Sequence, residues 1–249
     1  MQTWGLTDPG NIRQQNQDSY AIVPFARDRV LMIVCDGMGG AKSGNVASSL
    51  AVEVFTGEVR RTQKAGMTPE KAAAMLRSAL ELANRAVYEQ SQLSEDFTGM
   101  GTTLVSAFVQ GRNASIMNVG DSRAYIMSGG TLRQISEDHS YVEEMRRLGR
   151  ISEADARSHP QKNLITRAVG VDATVEGDLF EQTLADGDIL LLCSDGLTGM
   201  VEDGKIAEVL AGAGTLEDKG RELLTLALEG GGRDNITVAL FTCGAKQEA

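Results

Sequence analysis

Between Gly101 and Ser136 the chain reads GTTLVSAFVQGRNASIMNVGDSRAYIMSGGTLRQIS, an apolar stretch cut at QGRN, VGDS and SGG. Short joints rich in Gly, Asn and Asp make hairpins, because these residues supply the left-handed or side-chain-braced backbone that a tight reversal needs. Successive apolar pieces joined this way predict antiparallel strands connected by hairpins. Two further runs, RVLMIVCDG at 29–37 and DILLLCSDG at 188–196, are apolar without alternation and stop at Asp-Gly. That is the pattern of strands buried on both faces, so each needs a covering layer on either side.

Helices are available to form those layers. Thr68 followed by Pro69 reads as an N-cap with Pro in the first helical position, and Leu76, Leu80, Ala83 and Val87 follow at helical spacing. A second helix is expected from Asn45 to about Arg60, with Val46, Leu50 and Val54 on one face, and a third from Thr215 to Leu228, where Asp218 completes a box-like cap. The expectation is a layered fold of sheets sandwiched by helices. Residues 136–169 differ: Ser152 and Asp155 resemble a capping box, but apolar content is low, which predicts a surface insertion. Only four prolines occur and no low-complexity tract is present, so 1–249 is expected to be a single domain.

A formal net charge of -10 argues against a general electrostatic footing on nucleic acid or anionic membrane. The first residues, MQTWGLTDPGNIRQQNQD, lack the basic and apolar regions of a leader, and no run approaches the about 18 to 20 apolar residues of a membrane span. A cytoplasmic protein is expected. Cys35, Cys193 and Cys243 lie in apolar runs without CxxC spacing and read as reduced core residues. With only two histidines, His139 and His159, any metal must be held by oxygen ligands, which favours Mg, Mn or Ca over Zn or Cu.

Four aspartates share one context, a strand tip beside glycine or a tight turn: Asp36 in VCDGMGG, Asp121 in VGDSRAY, Asp195 in CSDGLTG and Asp234 in GGRDNITVALF. One Asp-Gly is ordinary turn chemistry. Strand tips of a common sheet, however, fall along one rim, where several carboxylates repel one another unless cations sit between them. Hard divalent ions take carboxylate and backbone carbonyl oxygens, and Gly37 would leave its carbonyl accessible. Displacement at phosphorus is the chemistry that most needs two adjacent hard ions. Arg13, in GNIRQQNQD, is placed to grip two phosphate oxygens through its guanidinium.

The series NIRQQNQD, VCDGMGG, GMGTTLVSAF, NVGDSRAY, SEDHS, NLITRAVG, LLCSDGLTG and GGRDNITVALF closely resembles the bacterial branch of the metal-dependent Ser/Thr protein phosphatases of the type 2C, or PPM, family. The resemblance spans essentially the whole chain in the family's motif order. It implies an α/β (α+β) fold, a four-layer α-β-β-α sandwich of two antiparallel sheets flanked by helices. It further implies two Mn or Mg ions, with Asp36 bridging them, the Gly37 carbonyl on one, and Asp195 and Asp234 holding the second. Asp121, with Asp195, matches a third and weaker metal position. Arg13 matches the phosphate-gripping arginine, Asp18 a supporting residue linked to the metals through water, and Asn235 a neighbour of the metal ligands. Residues 136–169 match a flap that borders the active site and influences substrate choice.

The implied reaction is hydrolysis of phosphoserine and phosphothreonine on proteins by a metal-bridging hydroxide, without a covalent phosphoenzyme. No cysteine here is followed six residues later by arginine, which agrees with that. The implied partners are phosphorylated proteins, among them a Ser/Thr kinase of the same cell, and a monomer is expected. Two positions depart from relatives. Met38 stands where some eukaryotic members carry a histidine thought to protonate the leaving group; a metal-bound water is the favoured acid, with His139 instead stabilising the flap. Gln17 stands where many members carry Glu. Basic residues of the flap, Arg146, Arg147, Arg150, Arg157, Lys162 and Arg167, read first as a solvated face.

Overall fold

The computed structural model describes residues 1–26, 28–39 and 43–244, without the side chains of Glu153, Arg157 and Ser158. The last glycine of VCDGMGG and the Arg157 side chain therefore lie outside the described residues. Strands β1 (Gln2–Asp8), β2 (Asp18–Ala26) and β3 (Arg29–Met38) lead into helices α1 (Gly44–Thr62) and α2 (Pro69–Ser91). The short β4 (Gly101–Thr102) precedes β5 (Leu104–Gln110), β6 (Asn113–Val119), β7 (Arg123–Ser128) and β8 (Thr131–Gln134). The flap carries α3 (Tyr141–Arg147) and α4 (Glu153–Ser158). Strands β9 (Asp178–Thr183) and β10 (Ile189–Cys193), helices α5 (Asp195–Thr198), α6 (Asp203–Ala211) and α7 (Leu216–Glu229), and β11 (Ile236–Thr242) follow.

One sheet has the order β1-β11-β10-β7-β8 and the other β2-β3-β5-β6-β9, with β4 paired to β3. Every pairing is antiparallel. Side-chain alternation explains why β3 is apolar on both faces. Its Leu31, Ile33 and Cys35 pack with Phe55, Leu76 and Leu80 of α1 and α2. Its Val30, Met32 and Val34 pack between the sheets with Ile126, Leu192 and Phe241. The opposite outer layer joins Leu191 and Val238 to Val209 and Leu223 of α6 and α7. These clusters stack the expected α-β-β-α layers, each fully buried large apolar side chain contributing about 1.5–3 kcal/mol.

The caps act as the spacing predicts. Thr68 accepts from the Lys71 amide, and the Ser152–Asp155 and Thr215–Asp218 boxes are both closed. All three cysteines are free and buried, and burial pushes the Cys193 thiol up to about 12. No helix among the described residues is long and apolar enough to cross a membrane.

One expectation fails. QGRN and SGG are hairpin joints, but VGDS is not: β6 and β7 belong to different sheets. The free edge of β6 is taken by β9, and β7 pairs with β10 instead. Gly120, at φ +99°, turns the chain across the sandwich. The crossover carries Asp121 to the same end of the sandwich as the other aspartates.

Candidate active site

Register places the carboxylates. Asp18 opens β2 directly opposite Asp36 near the end of β3. Cys193, at the end of β10, pairs with both Val238 and Arg123. Asp195 therefore leaves one strand tip where Asp234 and Asp121 enter the two neighbouring strands. All five aspartates collect at one rim.

Neither Asp-Gly is a turn, which corrects the ordinary reading of that dipeptide. After Asp36 the strand continues through Met38, with Gly37 opposite Thr102, and Asp195-Gly196 opens α5. Close backbone approach is what requires glycine here. A Cβ on Gly37 would meet the Gly44 carbonyl oxygen at 2.1 Å and that of Gln17 at 2.6 Å, and one on Gly196 would meet the Asn235 carbonyl oxygen at 1.9 Å. The Gly37 carbonyl itself lies beside Gly44 at the start of α1.

A web of short bonds holds the rim. The Asp36 amide donates to Thr103 Oγ1 at 2.9 Å, and the Asp36 carbonyl accepts from the Thr103 amide and from Thr102 Oγ1, each at 2.9 Å. Thr103 Oγ1 also meets Ser122 Oγ at 2.7 Å, tying the Asp36 strand to the Asp121 crossover. Asp18 Oδ2 accepts from Ser194 Oγ at 2.7 Å and Thr237 Oγ1 at 2.6 Å. Asn235 anchors the N-terminal loop: its Oδ1 accepts from the Gln17 amide, and its Nδ2 donates to the Pro9 and Gln15 carbonyls. The Gln17 carbonyl accepts from the Gly37 amide and from Ser48 Oγ. Arg13 Nη2 donates to Asp234 Oδ2 at 2.8 Å from a half-exposed guanidinium.

Burial first, and then the neighbouring carboxylates, push Asp36 well above the usual range. Asp121 is raised by burial and by Asp195, and Asp195 by burial and by Asp234. Burial lifts Asp18 to about 7 against the opposing hydroxyls of Thr237 and Ser194. Among the described residues no three His, Cys, Asp or Glu side chains form a ready coordination group. The donor set nevertheless fits hard divalent cations: it is all oxygen, strongly electronegative, and leaves Asp18 Oδ1 and Asp195 Oδ1 buried without a hydrogen-bond donor.

Arg123 and Asp138 were not singled out from the sequence. Arg123 grips Asp138 through Nε and Nη2 at 2.7–3.0 Å and donates from Nη1 to Tyr125 Oη at 2.9 Å. An arginine two residues after a rim aspartate is the signal that was available. Residues of the flap and of α5 and α6 line a cleft of about 550 Å³ that reaches Asp121 and Asp195, with Arg146 and Lys162 on its flap side. Arg146 is exposed and paired with Glu143 three residues before it. The histidine expected to stabilise the flap has both ring nitrogens engaged, Nδ1 by the Gly120 amide and Nε2 by Asp178.

Residues 12–226 match the family described as Protein phosphatase 2C. A serine/threonine phosphatase of Listeria monocytogenes is 42% identical over 94% of this chain and 92% of its own length. The solved serine/threonine phosphatase of S. agalactiae superposes with a TM-score of 0.90 at 40% identity, covering 96% of this chain and 98% of that one. The Mycobacterium tuberculosis serine/threonine phosphatase PstP/Ppp gives a TM-score of 0.88 at 35% identity, covering 98% and 99%.

Proposed function

The chain belongs to the protein phosphatase 2C family, whose members depend on metal, and we propose on that footing that it hydrolyses phosphoserine and phosphothreonine on proteins. The observation that carries this reading is the buried carboxylate rim with Arg13 at its edge. Asp36, the Gly37 carbonyl, Asp195 and Asp234 are the groups that would hold two Mn or Mg ions, with Asp121 and Asp195 holding a third, weaker one. Bound there, such ions supply an acidified water as nucleophile and neutralise charge on the phosphoryl oxygens.

The chain's own residues do the rest. Arg13 binds the phosphoryl group through its guanidinium fork and orients it, a task for which its bond to Asp234 places it at the rim. Asp18, held by Ser194 and Thr237 opposite Asp36, is the supporting residue that would reach the metals through water, and Asn235 holds the loop that carries Arg13. The flap at 136–169 borders the cleft and selects the protein segment presented to the rim. With Met38 in place of histidine and His139 engaged at both nitrogens, no side chain of the rim is assigned as the acid that protonates the leaving oxygen. The whole chain is taken as one catalytic domain, a cytoplasmic monomer that reverses the work of a Ser/Thr kinase.

The test is phosphate release from a phosphothreonine peptide by EDTA-treated protein, with Mn or Mg restored and Asp36→Asn run alongside. Metal-dependent release that the variant lacks is expected. Equal release by the variant would remove Asp36 from the chemistry.

A further inference from the structure

His139 lies at the root of the flap, 6% exposed, and two of its hydrogen bonds meet the same residue, Gly120. Its backbone amide donates to the Gly120 carbonyl at 2.9 Å, and its Nδ1 accepts from the Gly120 amide at 3.1 Å. An imidazole nitrogen that accepts carries no hydrogen, so the ring hydrogen sits on Nε2. There it faces Asp178 Oδ2 at 3.2 Å. Arg167 Nη1 lies 3.3 Å from the same nitrogen and donates its hydrogen to the other oxygen of Asp178 at 3.1 Å, which leaves the Nε2 hydrogen to Asp178. Burial pushes the His139 pKa down, partly offset by Asp178, which suits an acceptor Nδ1.

What this lock controls is the crossover. Gly120 has φ +99°, and a Cβ there would meet Thr103 Cγ2 at 2.6 Å, so nothing else in the turn substitutes for its backbone. Asp121 follows immediately. On its other side stands Arg123, gripped by Asp138, the residue just before His139. Two consecutive flap-root residues therefore clamp the chain at 120 and 123. The flap departs at once from that clamp: the His139 carbonyl accepts from the Thr166 amide, and Ser140 bridges Ile165.

We propose that His139 is a positioning residue: through an imidazole bearing its hydrogen on Nε2, it fixes the Gly120–Asp121 turn and ties the Asp121 carboxylate to the flap. Its effect on ion binding rests on the reading of Asp121 as an ion ligand; its effect on the turn does not. His139→Leu fills the space but accepts nothing, whereas His139→Asn returns an acceptor oxygen near the Nδ1 position.

In metal-free protein, amide exchange at Gly120 is expected to quicken about five- to ten-fold in His139→Leu, the scale of one lost hydrogen bond, and to recover in His139→Asn. Mn titration by calorimetry is expected to show the weakest site loosened about 10-fold in His139→Leu, the usual scale for a residue that orients a ligand, and restored in His139→Asn. Nitrogen-detected NMR of the wild-type ring should find Nδ1 without hydrogen. A protonated Nδ1, or unchanged Gly120 exchange in His139→Leu, overturns the proposal. A loosened turn with an unchanged Mn isotherm upholds the clamp and removes Asp121 from the ion ligands instead.

Discussion

At the scale of single residues, the rim shows how far chemistry departs from composition. Arg13 and Asp234 stand far apart in sequence yet share a bond of 2.8 Å, and replacing Arg13 with Ala is expected chiefly to raise KM for a phosphopeptide. Steady-state kinetics check this, and a fall in kcat with KM unchanged would place Arg13 on the chemical step instead. Asp18 gives a sharper test. Its pKa is lifted to about 7, so the fold disfavours its ionised form. This group's contribution to metal-free stability is present below the ordinary carboxylate range and is lost as pH rises through about 7. Asp18→Asn keeps an acceptor for Ser194 and Thr237 without the charge. In EDTA at pH ~8 it is expected to be more stable than wild type by about 2–4 kcal/mol, and at pH ~4 to lose that advantage. Thermal melting at both pH values checks the sign. The candidates Asp36, Asp121, Asp195 and Asp234 were legible because each rides beside glycine or a tight turn at a strand tip. Ser194, Thr237 and Asp138 were not, because a hydroxyl or carboxylate in a strand or loop has no sequence mark that says which distant oxygen it meets.

At the scale of elements, the apolar runs and caps announced most of what formed. β3 and β10 are buried on both faces, and α2 begins at its Thr68 cap. The glycines required the structure. Gly57, inside α1, has nothing within 4 Å of a built Cβ, whereas Gly196 meets the Asn235 carbonyl at 1.9 Å. Gly57→Ala is therefore expected to stabilise the protein by about 0.5–1 kcal/mol. Gly196→Ala is expected to destabilise it by about 1–3 kcal/mol or more through forced backbone displacement. Melting temperatures should move in opposite directions, by about 2–4 °C per kcal/mol in a chain of this size. A rise in both would show that the α5 backbone yields without cost. The VGDS joint misled for a related reason: its composition signals a reversal, and a reversal joins two strands of one sheet or two sheets equally well.

At the scale of the whole molecule, three buried carboxylates of the rim are shifted in the same direction. Burial and repulsion from neighbouring carboxylates raise Asp36, Asp121 and Asp195, so each gives up its proton less readily than an ordinary carboxylate, and binding a cation favours that release. Mn binding near neutral pH is expected to expel protons and to tighten as pH rises. Calorimetry in buffers of different ionisation enthalpy measures this, and an enthalpy independent of buffer would mean that the carboxylates are already ionised. The sequence by itself determined the layers, the caps and the strand-tip positions of the aspartates, because periodicity, capping and strand-tip patterns act over a few residues. Only the tertiary structure decided that β6 and β7 part company, that Asp18 faces Asp36, and that the root of the flap grips the Asp121 crossover. Those outcomes depend on which strand edges are already taken and which backbones can approach, and no local run of residues encodes either.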